Sequence, residues 1–225
     1  MKNDSQSNNA YLELRRQILI MQLQPNTRIK EAAWAKKLNL GRVAIRESLI
    51  RLLGEGLVTT GAKGGYFVPD MSSGDIRLIR EVREILELAA LRLAIERITE
   101  DQLDQLANFC DDFSTMADKG YVSGACEADI KFHEKLVESS GNTRLSMAYH
   151  SSHIPLFHLK FGKTKTYLED YKQTDTEHRQ IVEAIKNKNL KNAEDLLKSH
   201  FKRGESAVLD MEYVFNSHVS ASGVL

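Results

Sequence analysis

The chain has 225 residues, 42% of them hydrophobic, and its 31 Lys and Arg are balanced by 31 Asp and Glu. That is enough apolar content to bury one sizeable core or two smaller ones without disulfides, and Cys110 and Cys126 form no Cys-x-x-Cys motif. No apolar run approaches the roughly 18–20 residues a membrane-spanning helix needs, and the polar start at 1–9 lacks a signal-peptide core, so a soluble cytoplasmic protein with no membrane partner is expected.

Residues 1–8 read as a disordered tail. Tyr11, Leu12, Leu14, Ile18, Leu19 and Met21 then recur at helical spacing until Gln24, Pro25 and Asn26 stop the helix. A short helix follows over about Lys30–Leu38, with Ile29, Ala32, Ala33, Trp34 and Leu38 as its buried set. Asn39 falls where the turn between two packed helices favours a residue tolerant of positive φ. The next helix spans about Arg42–Gly54 with Ile45, Leu49, Leu52 and Leu53 as its apolar stripe, and Gly56 ends it. Leu57–Thr60 and Tyr66–Val68 flank Gly61, Lys63, Gly64 and Gly65, the pattern of a β-hairpin with a glycine-rich tip. Helix, helix, turn, helix and hairpin make a winged helix-turn-helix over 9–69.

A polar linker is expected over 70–74. Ile79, Val82, Leu86, Ala89, Leu93 and Ile98 mark a long helix from about Asp75. Further helices are expected at about 100–118, 121–139, 143–154, 156–187 (interrupted near Lys163–Lys165) and 190–216, with a break at Pro155. The fold class is therefore mostly α, a winged helix-turn-helix followed by an all-α bundle of six or seven helices over 75–217, with a flexible tail at 218–225.

Charge divides along the same boundary. Residues 1–68 carry 11 Lys and Arg against 5 Asp and Glu, a net of +6, and 69–225 carry 20 against 26, a net of −6. A basic head on an acidic body suits a head that meets phosphate. In a winged helix the third helix enters the major groove, where the planar fork of Arg can donate two bonds to guanine. Arg42 and Arg46 lie four apart at its start, on one face. Lys63, Gly64 and Gly65 at the wing tip are placed for close approach to the backbone, and Lys36 and Lys37 for phosphate contact. The expected partner is double-stranded operator DNA.

These residues carry a resemblance. Residues 11–69 resemble the DNA-binding domain of GntR-type bacterial transcription regulators through Pro25–Ile29, Glu31, Ala35, Leu38, Arg42, Arg46, Glu47, Leu49, Leu52, Gly56, Leu57 and Gly65–Val68. With its helical second domain the chain resembles the FadR-like subgroup with an FCD ligand-binding domain. Departures are Asn26 and Asn39 for glycine, Trp34 for leucine, Gly41 for serine and Ala44 for proline. Both asparagines keep the tolerance for positive φ, whereas Gly41 lacks the hydroxyl that would cap the recognition helix.

Four residues suggest a sensing site. Asp129 and His133 lie four apart on one helix face. His178 and His200 lie 10 and 12 residues either side of Lys188, so in an antiparallel hairpin they reach about the same height. Three nitrogens and one oxygen suit Zn²⁺, Ni²⁺ or Mn²⁺ as a divalent transition-metal cofactor, and the resemblance implies this same Asp-x-x-x-His pair and two later histidines. Arg83 is a candidate clamp for an effector carboxylate, or an i,i+4 partner of Glu87. Asn142 either caps a helix or lines the pocket, and His150, His153 and His158 are read as structural or solvated.

The expected protein is thus a homodimeric, ligand-responsive transcription regulator and not an enzyme. It would be a repressor by default, sensing a small organic acid through a metal. A sensor of the ion itself and a metal-dependent hydrolase are the alternatives.

Overall fold

The computed structural model describes residues 2–19, 22–70, 72–152 and 167–221. It divides into two compact units at Ser72 and Ser73.

The first unit runs α1 (Lys2–Leu19), β1 (Arg28–Ile29), α2 (Glu31–Leu38), α3 (Arg42–Gly54), β2 (Thr59–Thr60) and β3 (Tyr66–Phe67). Helix α1 reaches back to Lys2, through the stretch expected to be a tail. Ala10 and Tyr11 are buried, and Arg51 on α3 donates to Asn8, so the packed segment holds a nucleus from which helix propagates backwards. Met21, counted in this helix by spacing, lies outside the described residues.

The apolar stripe of α3 is real, with Ala44, Ile45, Leu49 and Leu52 fully buried. Helix α2 buries Trp34, whereas Ala32 and Ala33, expected inside, face solvent. Asn39 takes the left-handed conformation, φ 54°, and its N–H closes onto the carbonyls of Ala35 and Lys36. Strand β1 is an addition to the expected hairpin. It pairs antiparallel with β3, giving a sheet of order β1-β3-β2. Two residues are too few to show a period of two in sequence.

The second unit is helical: α4 (Ser73–Arg97), α5 (Glu100–Asp118), α6 (Val122–Glu138), α7 (Thr143–Ser151), α8 (Tyr167–Lys186) and α9 (Leu190–Ala221). Thr99 starts α5 with a reciprocal capping box to Gln102. Lys188, at φ 52°, turns α8 into α9. Helix α4 begins inside the expected linker, and α9 continues beyond 217 into the expected tail. Pro155, His153, His158 and Lys163–Lys165 lie outside the described residues. The core joins Leu88 and Leu91 of α4, Leu106 and Cys110 of α5, Phe132 and Leu136 of α6, Ile181 and Ile185 of α8, and Leu197 and Phe201 of α9. Helix α4 breaks the simple pattern: Val82, chosen as a core marker, is 40% exposed while Arg83 and Glu87 are buried. The two charges can turn inward because they neutralise each other.

Tyr11 donates to Glu55 at 2.8 Å and so fastens α1 to the end of α3. Burial, opposed by Arg15 and aided by Glu55, pushes its phenol from 10.0 up to about 12. The folded value exceeds the unfolded one, so this contribution is complete below pH 10 and is lost as pH rises toward 12. Tyr11→Phe is expected to cost about 0.5–1.5 kcal/mol at pH 7 and to flatten the alkaline decline in stability, read by denaturant melts across that range. An unchanged alkaline slope would assign the decline to other groups.

Candidate functional site

In the first unit, Arg42 and Arg46 occupy the opening of α3 and both face solvent. No side chain caps this helix, because its N-cap is Gly41. Glu31, at the start of α2, accepts from Arg46 Nη2 at 3.0 Å and so braces one arginine of the pair. Lys36, Lys37 and Lys63 are exposed, and the Lys37 ammonium sits 4.2 Å from the centroid of the Trp34 ring. At the wing tip Gly64 and Gly65 have φ of 79° and 90°. A Cβ on Gly65 would also come within 3.2 Å of the Arg28 guanidinium. Arg28 is an exposed basic residue beside the wing that sequence reasoning missed, because nothing in the sequence signals β1.

In the second unit the chain brings Asp129, His133, His178 and His200 together. Each is buried, and each offers one ligand atom such that all lie within 4.8 Å of one another. Helix α6 supplies the i,i+4 pair, with His133 Nε2 3.9 Å from Asp129 Oδ1. The hairpin of α8 and α9 supplies the other two, whose ring centroids stand 4.8 Å apart. His178 Nε2 lies 3.3 Å from the same Asp129 oxygen, yet neither ring nitrogen of His178 makes a hydrogen bond. Its ring stacks on Phe132 at 4.1 Å. Burial, then the neighbouring His200, His133 and Arg83, outweigh the pull of Asp129 and hold His178 well below its usual value. The ring stays neutral, the form that binds a metal.

Around the cluster stand charged groups that sequence reasoning missed or left open. Glu87 accepts from Arg83 Nε at 2.8 Å and from the Tyr149 hydroxyl at 2.9 Å, and its other oxygen lies 2.6 Å from His133 Nδ1. Glu177 contacts His200 Nδ1 at 2.8 Å and accepts from Arg203 at 2.7 and 2.9 Å. Burial raises the Glu177 carboxyl, but hydrogen bonds from His200 and Arg203 prevail and lower it to about 2. Burial works against the Arg83 charge, but the surrounding Glu87, Tyr149 and Asp129 prevail and raise it above its usual value.

Of the two effector candidates, Arg83 makes the i,i+4 pair with Glu87 and is buried near the cluster. Asn142 is the N-cap of α7, its side-chain oxygen accepting from the amides of Arg144 and Leu145. Of the two roles expected for Asn142, this is the helix cap. His150 is exposed, 3.7 Å from Glu134.

Residues 78–203 match the FCD domain family, and residues 6–68 match the bacterial regulatory proteins of the gntR family. The chain is a GntR regulator with an FCD domain. It is 28% identical over 199 residues to the HTH-type transcriptional regulator YdhC of Bacillus subtilis, covering 85% of each chain. It is 33% identical over 123 residues to the Nta operon transcriptional regulator of Aminobacter aminovorans, covering 54% of this chain and 57% of that one. Among solved structures, McbR/YncC of E. coli superposes with a TM-score of 0.77 at 18% identity, over 92% of this chain and 98% of that one. A structure described as the metal-free FCD domain of a transcriptional regulator superposes with a TM-score of 0.53 at 21% identity, over 64% of this chain and 99% of that one. As a GntR and FCD protein this chain is a DNA-binding transcription regulator rather than a hydrolase, and its cluster lies within the FCD match. Among the described residues no helix is long and apolar enough to cross a membrane.

Phe132 is fully buried and carries the stacked His178 ring. Phe132→Ala is expected to destabilise the second unit by about 3–5 kcal/mol, measured by urea unfolding. A loss under 1 kcal/mol would show that the ring does not hold this core.

Proposed function

We propose that this regulator senses a small organic acid through a divalent transition metal held by Asp129, His133, His178 and His200. The observation that carries the reading is the convergence of four buried donor groups from three helices, with both nitrogens of His178 making no hydrogen bond. Leaving buried polar atoms unbonded costs free energy, and a metal on the cluster would remove part of that cost. A donor set without cysteine suits Zn²⁺, Ni²⁺ or Mn²⁺. The ion would supply Lewis acidity toward an effector carboxylate. Arg83, whose charge is felt by Asp129 and His178, is the protein cation assigned to the same anion. That a structural neighbour is described as the metal-free form of its FCD domain supports looking for a metal here.

The output is the head. Arg42 and Arg46 read bases, and Lys36, Lys37, Lys63, Gly64 and Gly65 meet the backbone. Two copies of the chain bind a near-palindromic operator as a homodimer, in the two-fold arrangement that such sites demand. Repression relieved by the acid is the proposed direction, which requires the effector to favour one arrangement of the heads.

Thermal shift of the metal-loaded protein against a set of small mono- and dicarboxylates tests the input. An acid that stabilises the wild type is expected to have no effect on the His178→Ala, His200→Ala double variant, which stays folded; a retained shift would remove the cluster from sensing. Operator binding that responds to metal but to no acid would make the ion itself the effector. For the output, Arg42→Ala and Arg46→Ala are each expected to weaken specific operator binding by about 1–3 kcal/mol. Unchanged affinity in a fluorescence-anisotropy titration would exclude them as base readers.

A further inference from the structure

Resting on that metal reading, we infer that Glu87 and Glu177 are the positioning residues of the metal centre, each holding one histidine by its outer nitrogen so that the inner nitrogen faces the ion. An imidazole that binds a metal through one nitrogen carries a proton on the other, and that N–H needs an acceptor to fix the tautomer and the ring angle. The chain meets this need twice, from different helices. Glu87 of α4 lies 2.6 Å from His133 Nδ1, and Glu177 of α8 lies 2.8 Å from His200 Nδ1. With Nδ1 occupied, Nε2 is the atom each ring has left for the cluster.

The two carboxylates share a further arrangement. In each, an oxygen that is not on the histidine accepts from a buried or half-buried arginine: Arg83 Nε at 2.8 Å for Glu87, and Arg203 Nε at 2.7 Å for Glu177. Tyr149 adds a third bond to Glu87, and Gln173 adds one to Glu177 at 3.1 Å. Arg203 is itself tied to Asp170 and Thr174. A carboxylate that served only to neutralise an arginine would have no reason to present its second oxygen to a ring nitrogen at both places. His178 is held differently, by its stack on Phe132. Two histidines are therefore aimed by charge and the third by packing.

The test is metal affinity of the full-length protein, measured by chelator competition with Zn²⁺ and by the visible absorption of the Co²⁺ form. Glu87→Ala and Glu177→Ala are each expected to weaken Zn²⁺ binding about 10–100-fold and to alter the Co²⁺ spectrum. Glu87→Gln and Glu177→Gln keep an oxygen acceptor for Nδ1–H and are expected to recover part of the loss. Glu194→Gln, which touches the exposed Arg92, is expected to bind as the wild type does. Alanine strands a buried arginine, so where those variants fail to fold the glutamine pair decides. Glutamine variants with wild-type affinity and an unchanged Co²⁺ spectrum would overturn the inference while leaving the metal site intact. A wild type that takes up neither Zn²⁺ nor Co²⁺ would overturn both.

Discussion

The second unit is organised around a carboxylate that has no contact with water. Glu87 is fully buried, and a buried charge is tolerable only when it is paired and hydrogen-bonded. Its two oxygens draw in Arg83 from its own helix, His133 from α6 and Tyr149 from α7. Satisfying one anion thus sets the rotation of α4 and seats α6 and α7 against it. It also explains why α4 turns Arg83 inward and Val82 outward, against the hydrophobic pattern.

Glu177 repeats the arrangement on the hairpin side, joining α8 to α9 through His200 and Arg203. Between these two anions lie the four donors, walled by Phe132 and Phe113, whose rings meet His178 face-on and edge-on. The apolar walls exclude water and the carboxylates fix the rings. Burial, with His200, His133 and Arg83 close by, keeps His178 neutral. The site is costly to bury, and such buried polar clusters are where function is to be sought.

The head works on the opposite principle. Its core residues, Leu14, Ile18, Ile45, Leu49, Leu52 and Leu57, are buried and apolar, while its charged residues stay exposed on α2, α3 and the wing. In the proposed reading DNA would supply counter-charge to the exposed cations of this face. Arg46 pairs with Glu31 and Arg51 with Glu55, and the first pair would narrow the directions from which the Arg46 fork could approach a base.

The helices of both units were legible from hydrophobic period, and the turn at Asn39 from residue chemistry, because both signals are local. The Asp129, His133, His178 and His200 set was also legible, since helix spacing and equal distance from a hairpin turn are arithmetic on the chain. Strand β1 and the complete burial of Glu87 were not, and Asn142 was left open between cap and pocket. Glu87 meets His133 across 46 residues and Glu177 meets His200 across 23, and neither pairing leaves a period or a motif. Sequence by itself determined the elements and the donors, whose causes act within a few turns of chain. Only the tertiary structure decided which buried charges face one another, because that depends on how helices distant in sequence satisfy a carboxylate removed from water.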